Sequence, residues 1–215
     1  MTPQLRFTVV EIAPEPYAVV PNLLARVRVE ETTGEQVHAL ALRAQVRIEP
    51  QRRRYDDAEE RALLDLFGDR TRFAQTLKPF LWLHASTVAQ GFTGSAEIDL
   101  VLPCTYDFDV SATTYLHALR DGEVPLLFLF SGTVFCRGRT GFSVTQVPWD
   151  LEARYRMPAR VWRDLMEAHF PGTEWVRMRR DTVEALAHVR HVRGLTSWDD
   201  AVTTLVAQAS VGEPS

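Results

Sequence analysis

Hydrophobic and polar positions alternate along several stretches of the chain, and the alternation predicts strands. From Leu23 to Glu31, Ala25, Val27 and Val29 fall on one side while Arg26, Arg28 and Glu30 fall on the other. That is the period-two signature of a strand with one buried face. Val37 to Glu49 repeats it at greater length, with Leu40, Leu42, Ala44, Val46 and Ile48 against Arg43, Gln45, Arg47 and Glu49. Thr32, Thr33 and Gly34 form a turn between the two, which are expected to pair as a hairpin. Leu5 to Ile12 reads as an earlier strand, stopped by Pro14 and Pro16.

Val124 to Phe135, VPLLFLFSGTVF, is apolar at odd and even positions alike. It is read as a central strand covered on both sides. Phe80 to Val88 and Ser95 to Leu102 are expected to pair across Gly91 to Gly94, and Phe142 to Val147 to return against the central strand. Tyr106 to Leu119 fits period two through Phe108, Val110, Ala112, Thr114, Leu116 and Ala118, although Ala112 to Leu119 also suits a helix. Asp121-Gly122, a pair suited to a type I′ turn, decides for the strand.

Helical spacing appears in two places. Asp56 to Phe67 is amphipathic through Ala62, Leu63, Leu66 and Phe67, ends at Gly68, and is followed by a helical turn at Thr71 to Leu77. Beyond Met157 the period is helical throughout. Val161, Trp162, Leu165, Met166 and Phe170 form one stripe, and Asp181 to Arg193 predicts a second helix closed by Gly194. Ser197 with Asp200 resembles a capping box at the head of a third, whose Trp198, Ala201, Val202, Leu205 and Ala209 make one continuous face. The fold class that follows is α+β: an antiparallel β-sandwich of about eight strands over residues 1–150, with a helical insertion at 56–77. A C-terminal helical segment of about three helices covers 151–211 and a frayed tail 212–215.

At 215 residues, 46% hydrophobic and 24% charged, the chain has the composition of a globular protein that needs no metal or disulfide staple. A net charge of -4 gives no general reason to expect nucleic acid or an anionic membrane. The start, MTPQLRFTVVEI, lacks the basic and apolar regions of a signal peptide, and no apolar run reaches the ~18 residues of a membrane span. The expectation is a cytoplasmic protein without a membrane helix, its two cysteines, Cys104 and Cys136, unbridged.

The segments TTGEQVHALALRAQVRIEPQRRRY (Thr32 to Tyr55), LPCTYDFDV (Leu102 to Val110), GEVPLLFLFSGTVF (Gly122 to Phe135) and QVPWD (Gln146 to Asp150) resemble an uncharacterised, mostly actinobacterial family, the domain of unknown function numbered six-zero-eight-four. The resemblance runs end to end and implies an accessory or assembly role, with a loose link to nickel-iron hydrogenase gene clusters. It carries no catalytic residues.

Candidate chemistry is sparse. Cys104, with His84 and His117 on neighbouring expected strands, has the residue types of a thiolate nucleophile or a metal site, against a structural reading of a buried thiol beside satisfied histidines. His188 and His191 share a helix face but sit among Arg180, Arg190 and Arg193. Asp107 with Asp109, and Asp199 with Asp200, are the tight acidic pairs. Arg52, Arg53 and Arg54 suggest a phosphate patch, but the acids Asp56, Asp57, Glu59 and Glu60 follow at once and favour internal pairing. No Gly-rich phosphate loop, nucleophile elbow or Cys-x-x-Cys occurs.

The reading is a non-enzymatic protein-binding or assembly module, with no catalytic or cofactor-binding residues assigned and no cofactor. Its partner is another protein, not a membrane or nucleic acid, and self-association stays open. Trp82, Phe92, Tyr106, Trp149, Trp162 and Trp175 are the aromatic residues that could anchor an interface, most of them destined for the core. The alternative is an enzyme or metal-handling protein with Cys104, His84 and His117 in a pocket between sandwich and helices.

Overall fold

The computed structural model describes residues 3–104, 110–138, 141–173, 176 and 178–211. It divides into two compact units, Met1–Gly172 and Thr173–Ser215. In the first, β1 (Leu5–Pro14), β2 (Asn22–Glu31) and β3 (Val37–Ile48) precede three short helices, α1 (Asp57–Ala62), α2 (Leu64–Phe67) and α3 (Phe73–Thr76). Then come β4 (Phe80–Phe92), β5 (Ser95–Pro103), α4 (Val110–Ala118), β6 (Glu123–Gly138), β7 (Gly141–Gln146), β8 (Glu152–Pro158) and α5 (Ala159–His169). Two antiparallel sheets result: a three-stranded one ordered β1-β2-β5, and a five-stranded one ordered β4-β3-β6 with β7 and β8 both paired to β6. The fold is thus an α+β sandwich, and Phe7 of one sheet stacks on Phe130 of the other at 4.4 Å between ring centres.

The expected hairpin of β2 and β3 is not formed. Both strands bury the residues their alternation marks, Leu23, Ala25, Val27 and Val29 in one and Leu40, Leu42, Ala44, Val46 and Ile48 in the other. However, β2 bonds to β1 and β5, while β3 bonds to β4 and β6. Period two reports that a face is covered and says nothing about which strand lies alongside. The same ambiguity overturns the expected pairing of β4 with β5: the turn after Phe92 carries the chain from the larger sheet to the smaller.

Tyr106 to Leu119 is the clearest correction. Its described part is helix α4, in which Ala112, Tyr115 and Leu116, with Leu119 just beyond, are at most 2% exposed. Those positions recur at i, i+3, i+4 and i+7, a helical stripe hidden under a coincidental alternation. Gly122, at φ +75°, turns the chain from α4 into β6 rather than closing a hairpin. The missing strand is supplied downstream by β8, where a helical segment was expected, and the first unit therefore runs past residue 150 to Gly172. There α5 lies against β1, β8 and α4 and sets Trp162 edge-on to Trp82.

The central strand β6 is buried without interruption from Val124 to Phe128, then opens on one face at Leu129 and Ser131. Gly132 has φ +146°, and a Cβ there would lie 2.1 Å from the Ala41 carbonyl oxygen, so only glycine lets β6 run this close to β3.

The second unit holds α6 (Arg180–Val192) and α7 (Trp198–Val211). The expected capping box is present: Ser197 Oγ accepts from the Asp200 N–H at 3.0 Å, and Asp200 Oδ2 accepts from the Ser197 N–H at 3.2 Å. Asp, one methylene shorter than the usual Glu, still reaches. The expected frayed tail, 212–215, lies outside the described residues, as do Tyr106, Asp107, Asp109 and Trp175.

Candidate functional site

Cys104 lies just past the end of β5 at 6% exposure, its thiol aimed at the Leu102 carbonyl oxygen 3.3 Å away. Burial pushes that thiol up to about 12, so it stays protonated at neutral pH and is no ready nucleophile. His84 is exposed on the outward face of β4, opposite Gln45 of β3. His117 is exposed on α4 with its ring edge on Trp162 at 5.5 Å. Among the described residues no three His, Cys, Asp or Glu side chains gather as a metal ion requires, so these three are not brought together as a ligand set. His188 and His191 are exposed on α6, and Asp200 is held by its cap.

Within the arginine triplet, Arg53 turns inward. Arg53, 8% exposed at its side chain, donates to both carboxylate oxygens of Glu59 at 2.7 and 2.8 Å and to the carbonyl oxygens of Asp121 and Glu123. Glu59 also accepts the N–H groups of Asp56, in the capping box of α1, and of Arg120 beyond α4. Below the guanidinium, Tyr55 donates to the Pro50 carbonyl and shares a hydrogen bond with Tyr115. Burial holds both phenols above their ordinary range, Tyr115 up to about 12. Arg52 pairs with Glu49 at 2.9 Å, while Arg54 is exposed. This knot fastens the helical insertion to the head of β6, the internal pairing that the adjacent acids implied.

Among the described residues of the first unit, the most exposed large apolar side chains, Tyr17 and Val19, lie elsewhere, on the loop Glu15–Pro21 between β1 and β2. Tyr17 is 103% exposed, Val19 95% and Val20 47%. Tyr17 also has φ +59°, a left-handed backbone that costs an L residue about 1 kcal/mol. The loop is nevertheless firmly held. Glu15 N–H donates to the Asn22 carbonyl at 2.9 Å, and the Asn22 amide returns a bond to the Glu15 carboxylate at 2.8 Å. The Pro21 carbonyl accepts from Cys104 N–H at 2.9 Å. His169, at the end of α5, sets one ring nitrogen 3.2 Å from the Ala18 carbonyl and the other 3.0 Å from that of Leu165. Both neighbours are acceptors, so the ring donates one bond when neutral and two when protonated. The loop thus joins a hydrogen-bonded base to an exposed tip.

Of the expected aromatic anchors, Trp82 and Trp162 are core and Phe92 is half-buried, while Trp149 is 90% exposed between β7 and β8. Tyr17, Val19, Val20 and His169 were not foreseen. Their signal was EPYAVVP, an apolar run framed by prolines and outside any periodic element.

No helix among the described residues is long and apolar enough to cross a membrane. A search of curated proteins finds no match. Among solved structures, the chain aligns with a CARDB domain from Pyrococcus furiosus, solved in complex with di-metal ions, at 9% identity over 73% of this chain and 92% of that one, TM-score 0.29. It also aligns with β-glucosidases from Kluyveromyces marxianus (8% identity, 72% of this chain and 15% of that one, TM-score 0.28) and Thermotoga neapolitana (12%, 72% and 17%, TM-score 0.27), the latter with α-D-glucose. The chain spans less than a fifth of either glucosidase, and likenesses this faint carry no functional weight. The family comparison is decisive, since one family model matches residues 2–214, and the chain belongs to the family of unknown function DUF6084.

Proposed function

We propose that this protein is a non-enzymatic binding module that engages another protein by inserting the Tyr17 tip into an apolar cleft. The observation that carries this reading is a tyrosine held in an unfavourable left-handed conformation with its side chain fully exposed. Local strain of that kind persists where the surrounding structure enforces it, and it concentrates at sites that meet a ligand. Tyr brings a large, rigid contact area at small entropic cost, and the flanking valines extend the apolar footprint. Glu15 is the only charged side chain of the loop, which favours a protein cleft over an anionic membrane surface.

The test is site-specific photo-crosslinking in the native host, with the probe at Val19 and, as control, at Thr8 on the exposed face of β1. The expected result is one discrete protein adduct from Val19, absent from Thr8 and lost when Tyr17→Ala is added. Equal adducts from both positions, or none from Val19, would sink the reading.

A further inference from the structure

His169 is the last residue of α5, half-buried, and each of its ring nitrogens meets a carbonyl oxygen. Nε2 lies 3.2 Å from that of Ala18, the residue between Tyr17 and Val19, and Nδ1 lies 3.0 Å from that of Leu165, one turn back on the same helix. Carbonyl oxygens only accept. A neutral imidazole has one N–H and one lone pair, so in either tautomer one of the two contacts sets lone pair against lone pair. The imidazolium alone satisfies both, and its charge-assisted bonds are the stronger ones. A cation at the C-terminal end of a helix is also favoured by the helix dipole.

We infer that His169 is a proton-operated latch on the loop Glu15–Pro21: the charged ring ties Ala18 to α5, and loss of the proton leaves loop and helix competing for a single N–H. Imidazole is the side chain that changes charge between about pH 5 and 8, so the loop is held most firmly in mild acid and loosens as pH rises through that range. Among the described residues the ring forms no ion pair. One turn back on α5 stand Leu165 and Met166, both uncharged, while Arg163, Asp164 and Glu167 are exposed. On β1 and the loop, Glu11 pairs with Arg26 and Glu15 with the Asn22 amide. On β8, Glu152 pairs with Arg154, and Arg156 with Glu123. On α4, His117 lies edge-on to Trp162, and at the end of β5 burial keeps Cys104 protonated. The consequence for function rests on the reading of Tyr17 as an inserted tip: a fixed Ala18 fixes its neighbour at φ +59°, so partner binding strengthens on acidification.

The full chain is to be followed by NMR from about pH 5 to 8, reading the ring nitrogens of His169 and the hydrogen exchange of the Glu15 and Cys104 amides, corrected for its intrinsic pH dependence. Both amides close the loop, Glu15 N–H donating to Asn22 and Cys104 N–H to Pro21. The expected result is protection that falls at least about three-fold as the ring loses its proton, with the amides of β3 unchanged and the dependence absent from His169→Gln. Protection that stays flat while the ring titrates overturns the latch. So does a dependence that survives in His169→Gln, which assigns it to another group. If His169→Gln fails to fold, the wild type alone decides, by whether its amides track its ring. None of these readouts needs a partner. A responsive loop without a Val19 adduct therefore upholds the latch and sinks the binding reading, whereas an adduct with a flat loop does the reverse.

Discussion

The Arg53–Glu59 knot and the Tyr17 tip are opposite departures from the rule that polar groups face water and apolar groups face the core. In the knot, charge is buried, yet each buried group has its counterpart within the chain: two carboxylate oxygens for the guanidinium, two N–H groups for Glu59, and a carbonyl and a phenol for Tyr55. At the tip, apolar side chains stand in water and only the backbone is partnered. The first departure is complete within the fold. The second is not, and on the proposed function that difference separates a structural fastening from a binding surface. The strands beneath the tip make the contrast sharper. On their outward face Arg6 pairs with Glu30, Arg26 with Glu11 and Asp99, and Arg28 with Glu97, so solvent exposure in this sheet ordinarily comes with paired charge.

If the knot is structural, Arg53→Ala should cost the most, about 3 kcal/mol in urea unfolding, because Glu59 is left charged and buried. Alkaline titration probes the phenols next. Unfolded Tyr115 releases its proton near 10.0, whereas burial keeps the folded one protonated to about 12. Its contribution is therefore complete below about pH 10 and is lost as pH rises through about 12, a fall of up to about 3 kcal/mol visible in the thermal midpoint. A midpoint flat across that window would mean that the phenols are not enclosed. Tyr55→Phe should cost about 1 kcal/mol, the net worth of its two hydrogen bonds.

The tip should respond with the opposite sign. Tyr17→Gly relieves the left-handed strain and removes a fully exposed side chain, so stability should rise by about 1 kcal/mol while the crosslinked partner is lost. A destabilised glycine variant would show that Tyr17 serves the fold after all and would erase the comparison. Val19→Ser should fall within about 0.5 kcal/mol of wild type by the same measurement, as exposed substitutions do.

Much of this molecule is legible residue by residue. The buried faces of β2 and β3, the double cover at the head of β6, the capping box at Ser197 and the inward pairing of Arg53 with Glu59 each follow from a local pattern whose physics acts over a few residues. Where two local patterns overlapped, as in Val110–Ala118, a turn dipeptide tipped the reading toward the strand although the helical stripe was present. The exposed Tyr17 tip was illegible for a different reason. A short apolar run between prolines reads equally well as buried or bare until the course of β1 and β2 leaves Tyr17 and Val19 exposed.

By itself the sequence determined the buried faces of β2 and β3, the cap that starts α7, and that Cys104 is a hydrophobe before it is a thiolate. The period of a pattern, a cap or a buried thiol depends on chemistry within one element. Only the tertiary structure decided that β2 and β3 lie in different sheets, that β8 completes the larger one, and that Tyr17 stands free while Arg53 does not. Those outcomes rest on contacts between residues far apart in the chain, and alternation, charge order and turn propensity are blind to them.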